Sequence, residues 1–133
     1  MNLKLFVNIP VKDLDASKAF FKALGFSFNP QFTDDNAACL VLGEDNYFML
    51  LKEDFFRGFT KKPISDIRSS PQAIFSIAME SRAKADEMAD KALAAGAMEP
   101  AGPSDQGFMY SRSFEDLDGY LWDVFYMDPA HIK

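Results

Sequence analysis

An acid that follows a turn glycine is the residue of this sequence with the clearest chemical potential. Asp118 and Gly119 are typical of a hairpin turn, and Asp123 comes four residues after the glycine, in DLDGYLWDVFY. Alternation predicts two faces for the strand that follows, one with Leu121, Asp123 and Phe125 and the other with Trp122, Val124 and Tyr126. Both faces are mostly apolar, and burying an acid without a partner costs free energy. Asp123 is therefore either a structural acid with a fixed partner or the carboxylate of a functional site.

The first predicted strand contributes a polar candidate, Asn8, on the same face as Phe6. Its amide could hydrogen-bond a ligand and pair with Asp123 across adjacent strands. The alternative is a structural amide that only holds that carboxylate. We expect Phe6, Asn8 and Asp123 to face one cleft.

Two further candidates, Tyr110 and Arg112, share a face of the penultimate strand in GFMYSRSFED. Tyr110 can donate or accept a hydrogen bond, and Arg112 can hold an anion through two parallel bonds. Arg112 could instead pair with Asp123 or Glu115, which would be a structural role. Both residues are kept as candidates for ligand binding.

An aromatic segment interrupts the pattern of strands at residues 53–71, EDFFRGFTKKPISDIRSSP, which is predicted as a loop or short helix. The spacing of Phe55, Phe56 and Phe59 puts them on one side of a helical turn. They could form an aromatic lid over a ligand. The alternative is a hydrophobic plug at the end of the barrel.

Composition and charge limit the classes of partner. The chain has 133 residues, enough for one compact unit, and a net charge of −6. It lacks a cluster of Lys and Arg interleaved with aromatic residues, which argues against nucleic acid. It has neither a long apolar run nor a leader-like start, so we expect no membrane span. The lone cysteine, Cys39, excludes an internal disulfide and is consistent with a cytoplasmic location.

The elements that must position these residues form a repeat of strand, helix and three strands. Asp13 is predicted to cap a helix over about 14–24 that ends at Gly25, and Ser81 a helix over about 82–95 that ends at Gly96. Predicted strands cover about 3–10, 37–42, 46–52, 73–79, 107–115 and 120–127, with FSFNPQF as a broken strand and EPAGPSD as a connection.

This order predicts an α+β fold of two βαβββ modules, whose curved mixed sheets enclose a cleft. The chain is then one domain over 1–133. Module 1 covers about 1–53, a connecting loop about 54–71 and module 2 about 72–128.

Two motifs resemble those of the vicinal oxygen chelate superfamily, which includes glyoxalase I, extradiol dioxygenases, methylmalonyl-CoA epimerase and the bleomycin-resistance proteins. The first, in PVKDLDASKAFFKALGF, is matched by Val11, Asp13, Leu14, Ser17, Phe20, Phe21, Leu24 and Gly25. The second resembles D-P-D-G with an acid four residues after the glycine, and is matched by Asp116, Asp118, Gly119 and Asp123, with Leu117 in place of the proline. The order of elements is similar over essentially the whole chain.

Enzymes of that superfamily usually hold a divalent ion with histidines and glutamates from four strands. The resemblance places the four ligand positions at Phe6, with Asn8 two residues along on the same face, at Met49 or Leu51, at Ile74 or Ser76, and at Asp123. Only Asp123 keeps a carboxylate, and the single histidine, His131, lies beyond the last strand. We therefore expect no metal and no cofactor, and Met49 joins the candidates for ligand binding.

Three functions remain open at this point. The first is metal-independent binding of a small molecule in an aromatic cleft, similar to the bleomycin-resistance branch. The second is a lyase, isomerase or dioxygenase of the same superfamily with a degenerate or unusual site, in which Asp123 could act as a general base. The third is a structural or interaction domain. Sheet faces left without a helix, together with the resemblance, imply a homodimer with two equivalent sites.

Overall fold

Two mixed sheets of four strands, built in the same strand order, form the framework of the protein. The computed structural model describes residues 3–71 and 73–131. They separate into unit 1, which ends at Ser65, and unit 2, which begins at Asp66. The predicted α+β class with repeated βαβββ topology is confirmed.

Unit 1 begins with a strand and a helix and then forms three more strands. Its elements are β1 (Leu5–Val11), α1 (Leu14–Ala23), β2 (Ser27–Asn29), a 3₁₀ turn (Pro30–Phe32), β3 (Ala37–Val41), β4 (Asn46–Lys52) and a short helix, α2 (Glu53–Phe56). The order in the sheet is β1-β4-β3-β2. β1 runs parallel to β4, and the other neighbours are antiparallel.

Unit 2 repeats this arrangement. Its elements are β5 (Ile74–Ala78), α3 (Arg82–Ala94), β6 (Ser104–Asp105), β7 (Met109–Glu115), β8 (Leu121–Met127) and a final 3₁₀ turn (Pro129–His131). The order in the sheet is β5-β8-β7-β6, again with the first strand parallel to the last.

Local signals set the ends of both long helices as predicted. The Asp13 carboxylate accepts a hydrogen bond from the Ala16 backbone at 3.0 Å, and the Ser81 hydroxyl accepts one from the Lys84 backbone at 3.1 Å. These bonds satisfy donors that the first turn of a helix leaves free.

Each sheet has one buried face and one partly exposed face. In the first sheet, Ile9, Leu40 and Leu50 lie on the buried face, and α1 packs against β3 and β4. In the second sheet, the buried face carries Trp122 and Val124, and α3 packs against β7 and β8. We call the opposite side of the second sheet its open face, which carries Ile74, Ser76, Ser113, Leu121, Asp123 and Phe125.

The predicted break in FSFNPQF is confirmed, since β2 ends at Asn29 and Pro30, which has no N–H to donate, begins a 3₁₀ turn. One detail differs from the strand prediction. The segment predicted as a Pro-rich connection contains β6, a strand of two residues that pairs with β7. Among the described residues, no helix is long and apolar enough to cross a membrane.

Candidate functional site

The turn before Asp123 is held by another acid, Asp116, which is almost fully buried. Its Oδ1 atom accepts hydrogen bonds from the backbone N–H groups of Asp118 and Tyr120, both at 3.0 Å. Its Oδ2 atom accepts one from Nε1 of Trp122 at 2.9 Å. Burial raises the pKa of Asp116 to about 6, although the three hydrogen bonds oppose this shift. Asp116 is therefore a structural acid of the hairpin, a role that the sequence analysis missed.

Asp123 lies on the open face, as the alternation along its strand predicts. Its register partners are Ser76 on β5 and Ser113 on β7, so these three residues form one polar row across the sheet. Asp123 is half-buried, and burial raises the pKa of its carboxyl group. Within residues 3–71 and 73–131, no hydrogen bond or ion pair reaches this carboxylate. It is thus not a structural acid with a fixed partner in the described part of the chain.

An apolar depression of about 350 Å³ opens beside this polar row. Pro71, Ala73, Ile74 and Leu121 line it. Ile74 and Leu121 are register partners and lie two residues before Ser76 and Asp123 on the same face. The open face therefore offers an apolar surface and a carboxylate next to each other.

The first sheet presents an aromatic surface on its partly exposed face. The rings of Phe6 and Tyr47 stack with their centroids 4.6 Å apart. Asn8 lies beside Met49 in the register, and its amide donates only a long hydrogen bond, 3.5 Å, to the carbonyl of Phe6. Asn8 and Asp123 belong to different sheets, so the suggested pairing across adjacent strands does not occur: β1 neighbours β4, and β8 neighbours β5 and β7.

The repeat shows which residues of the two units are equivalent. Asn8 and Ser76 each stand five residues before a helix N-cap, at Asp13 and Ser81 respectively. Asn8 pairs with Met49, and Ser76 pairs with Asp123. Met49 is therefore the counterpart of Asp123, and only the second unit has a carboxylate at this position.

Tyr110 and Arg112 lie on the buried face of the second sheet, opposite to Asp123. The Tyr110 hydroxyl donates to the carboxylate of Asp86 on α3, and this bond lowers the pKa of Asp86 and raises that of Tyr110. The structure thus does not bring these two candidates together with Asp123.

Arg112 is only 9% exposed and is surrounded by acids. Its guanidinium lies 3.0 Å from Asp86, 3.1 Å from Asp90 and 3.3 Å from Glu99. The predicted alternative, pairing with Asp123 or Glu115, is wrong, because the side chain points to α3. Its Nε atom is buried without a hydrogen-bond partner among the described residues.

The aromatic segment after β4 places two of its three phenylalanines in contact. Phe55 and Phe59 meet edge to face, with centroids 5.2 Å apart, and Phe56 is half-buried. Phe59 is 70% exposed, so this pair lies at the surface and is not a buried plug. α2 itself packs against β1 and β4.

The donor atoms at the positions implied by the resemblance do not fit a divalent metal ion. Among the described residues, no group of three or more His, Cys, Asp or Glu side chains could hold a metal ion. The polar row has one carboxylate between two neutral hydroxyls, and its counterpart in unit 1 has an amide, Asn8, beside a thioether, Met49. A structural or catalytic site would need at least three strong ligands.

Comparison with known proteins identifies the fold. Residues 4–43 match the family model described as bleomycin resistance protein-like, N-terminal. No curated protein matches the chain. Among solved structures, the hypothetical protein SA1046 from S. aureus is 24% identical, with 95% of each chain covered and a TM-score of 0.80.

Two other solved structures carry names that describe this fold. A glyoxalase/bleomycin resistance protein/dioxygenase family enzyme from Burkholderia phytofirmans is 17% identical, with a TM-score of 0.78 over 92% of this chain and 96% of that one. A glyoxalase-related enzyme from Fulvimarina pelagi is 12% identical, with a TM-score of 0.80 over 95% of this chain and 88% of that one. The chain thus has the glyoxalase/bleomycin resistance/dioxygenase fold, which is the fold that the resemblance to the vicinal oxygen chelate superfamily implied.

Proposed function

We propose that the protein binds a small organic molecule on the open face of its second sheet, without a metal ion. The observation that carries this proposal is the position of Asp123, a half-buried carboxylate without a partner among the described residues. Leaving such a group unpaired costs free energy, and a ligand that pairs with it recovers that cost.

The surroundings of Asp123 also support binding. Ligand sites are mostly apolar surfaces with a few polar groups that orient the ligand. The depression at Ile74 and Leu121 supplies the apolar part, and Ser76 and Ser113 supply hydroxyl groups on either side of the carboxylate. The stacked pair Phe6–Tyr47 and the exposed pair Phe55–Phe59 give unit 1 aromatic surfaces of its own.

A second candidate function is catalysis by the same carboxylate. The specific observation in its favour is that burial raises the pKa of Asp123, which makes it a stronger base near neutral pH. In that case the protein is a lyase or isomerase whose unusual site works through Asp123 as a general base. Turnover would separate the two functions, since a binding protein returns its ligand unchanged.

Binding can be tested by nuclear magnetic resonance with uniformly ¹⁵N-labelled protein treated with a chelator. A panel of small aromatic and aliphatic molecules, positive, neutral and negative, is added at millimolar concentration. We expect amide shifts at residues 74–76 and 121–123, and a rise in melting temperature for the molecules that cause them. If the whole panel leaves these amides unmoved, the proposal fails.

We further propose a cytoplasmic location and a homodimeric assembly. Support for the first is the buried free thiol of Cys39, whose pKa burial raises, since such a thiol is suited to a reducing compartment. Support for the second is the exposure of large apolar surface on the face of the first sheet without a helix, where Phe6 is 42% exposed.

A further inference from the structure

We infer that the ligand of the open face is a primary amine that carries an apolar group about 7 Å from its nitrogen, a spacing set by the rise of a β-strand. This inference rests on the proposed function and specifies its ligand. Three features of unit 2 lead to it: the charge balance around Asp123, the acceptors in its row, and the position of the apolar depression.

The charge balance of unit 2 leaves Asp123 without a cation. Its described part contains five Lys and Arg side chains, and each one is engaged with another group. Arg68 donates to the carbonyl of Leu117, and Arg112 is held by the acids of α3. Of the other three side chains, Arg82 pairs with Asp105, and Lys84 and Lys91 both pair with Glu87. The positive charge that would pair with Asp123 must therefore come from outside this unit, and a ligand can supply it.

The acceptors in the row favour a nitrogen with several N–H groups. A primary ammonium has three donors, and a carboxylate with a hydroxyl on either side offers acceptors to more than one of them. Within the described residues, the hydroxyls of Ser76 and Ser113 make no hydrogen bond, so both remain available. A quaternary ammonium has no N–H to donate and would leave these acceptors unused.

The apolar part of the ligand is placed by the strand geometry. Ile74 and Leu121 precede Ser76 and Asp123 by two residues on the same face, and two residues of a strand span about 7 Å. An ammonium at Asp123 therefore puts a group at this distance over the depression. A carboxylate in place of the amine would meet the charge of Asp123 and be repelled.

The test compares three molecules of equal length: hexylamine, 1-hexanol and hexanoate, each titrated into the chelator-treated full chain and followed by amide shifts. We expect hexylamine to shift residues 74–76 and 121–123 with a Kd at least about tenfold below that of hexanol, as a charge-assisted bond implies. Hexanoate should not saturate. Nα-acetyl-lysine amide carries the same ammonium with a peptide backbone, and we expect it to bind more weakly than hexylamine, because its amides would enter the apolar depression.

Variants separate the charge of Asp123 from other effects. Asp123→Asn keeps the size of the side chain and should reduce hexylamine affinity to that of hexanol, while hexanol affinity stays unchanged. Glu80→Gln is the matched control, since Glu80 is exposed and lacks a side-chain partner in the described chain. It removes the same charge and should leave both affinities as they are. Ser113→Ala should weaken hexylamine by about threefold, which is the expected effect of one hydrogen bond.

Several outcomes would overturn the inference. If hexanol bound as tightly as hexylamine at the same amides, the open face would be a binding site, but it would not select an amine. Tighter binding of the lysine derivative would point to a peptide ligand instead of a free amine. If none of the three molecules shifts these amides, the inference of an amine ligand is wrong. The binding function itself is refuted only if no molecule of the whole panel described above shifts them.

Discussion

The side chain of Arg68 passes directly over Gly119, so that a β-carbon added to the glycine would lie 2.5 Å from Cγ of Arg68. The Arg68 guanidinium then donates a 2.6 Å hydrogen bond to the carbonyl of Leu117. Gly119 has a φ of +94°, a region that residues with a side chain rarely adopt. The chain that leads into β5 is thereby fixed to the turn that leads into β8.

Gly119→Ala is expected to lower the free energy of unfolding by about 2–4 kcal/mol, because positive φ and the close contact each contribute. Urea unfolding measures the change. Arg68→Ala removes the contact with residue 119 but leaves the positive φ. In the Arg68→Ala background, Gly119→Ala should therefore still lower the free energy of unfolding, but by less than it does in the wild type. If Gly119→Ala had no effect in the Arg68→Ala background, the backbone at position 119 would not be strained.

Asp116→Asn should abolish a pH-dependent part of the stability. The pKa of Asp116 is about 6 in the folded chain and has an ordinary value of 3.8, so the folded state binds the extra proton between these values. The contribution of this group to stability is therefore fully present below about pH 4 and is lost as the pH rises through about 6. The pKa of Asp116 is raised by about two units on folding. The difference in free energy of unfolding between wild type and Asp116→Asn should therefore change by up to about 3 kcal/mol between pH 4 and pH 7.5.

The fluorescence of Trp122 offers an independent measurement of the same titration. It is the chain's one tryptophan, and its indole N–H donates to Asp116. We expect the emission to titrate near pH 6 in the wild type and to lose this transition in Asp116→Asn. A midpoint near pH 4 would show that the three hydrogen bonds fully offset the effect of burial on the pKa of Asp116.

Arg112→Ala should destabilise the protein far more than Arg82→Ala. Arg112 is buried among Asp86, Asp90 and Glu99, and its removal leaves these acids close together without a cation. A loss of about 2–4 kcal/mol is expected, somewhat below that for a fully buried pair, because the acids are partly exposed. Arg82 pairs with Asp105 at the surface, where such pairs contribute below about 1 kcal/mol. Equal losses in urea unfolding would contradict this account.

Features of the fold set by nearby residues were predictable from the sequence. The caps at Asp13 and Ser81 and the two faces of β8 depend on residues within one turn or one strand, and they appear as predicted. Asp116 could also have been recognised, because its acceptors serve N–H groups two and four residues ahead, as in many Asx turns.

The candidate site was harder to predict because it depends on the order of strands. Arg112 meets acids that lie between 13 and 26 residues away, two on α3 and one on the segment after it, which no local pattern records. The suggested pairing of Asn8 with Asp123 across adjacent strands fails for the same reason, because the sheet order gives each a different neighbour. β6 has only two residues, too few to produce an alternating pattern.

Purified protein is expected to contain no stoichiometric Zn²⁺, Ni²⁺ or Fe²⁺. Of the positions that the resemblance assigns to metal ligands, only Asp123 carries a carboxylate, and Phe6, Met49 and Ile74 offer no strong donor. Inductively coupled plasma mass spectrometry after dialysis provides the measurement. About one ion per chain that disappears in Asp123→Ala, but not in Glu80→Ala, would refute the expectation.

The protein is expected to be a homodimer at micromolar concentration. The first sheet has a face that is only partly buried, and Phe6 exposes much of its apolar surface there. Removing such surface from water favours association at about 25 cal/mol per Å², and a two-fold axis lets both copies bury the same patch. Sedimentation equilibrium should give twice 14.9 kDa, and Phe6→Lys should shift the mass toward the monomer, whereas the exposed control Glu80→Lys should not. A wild-type mass of 14.9 kDa at micromolar concentration would exclude the dimer, because it would show that the exposed apolar surface does not drive association.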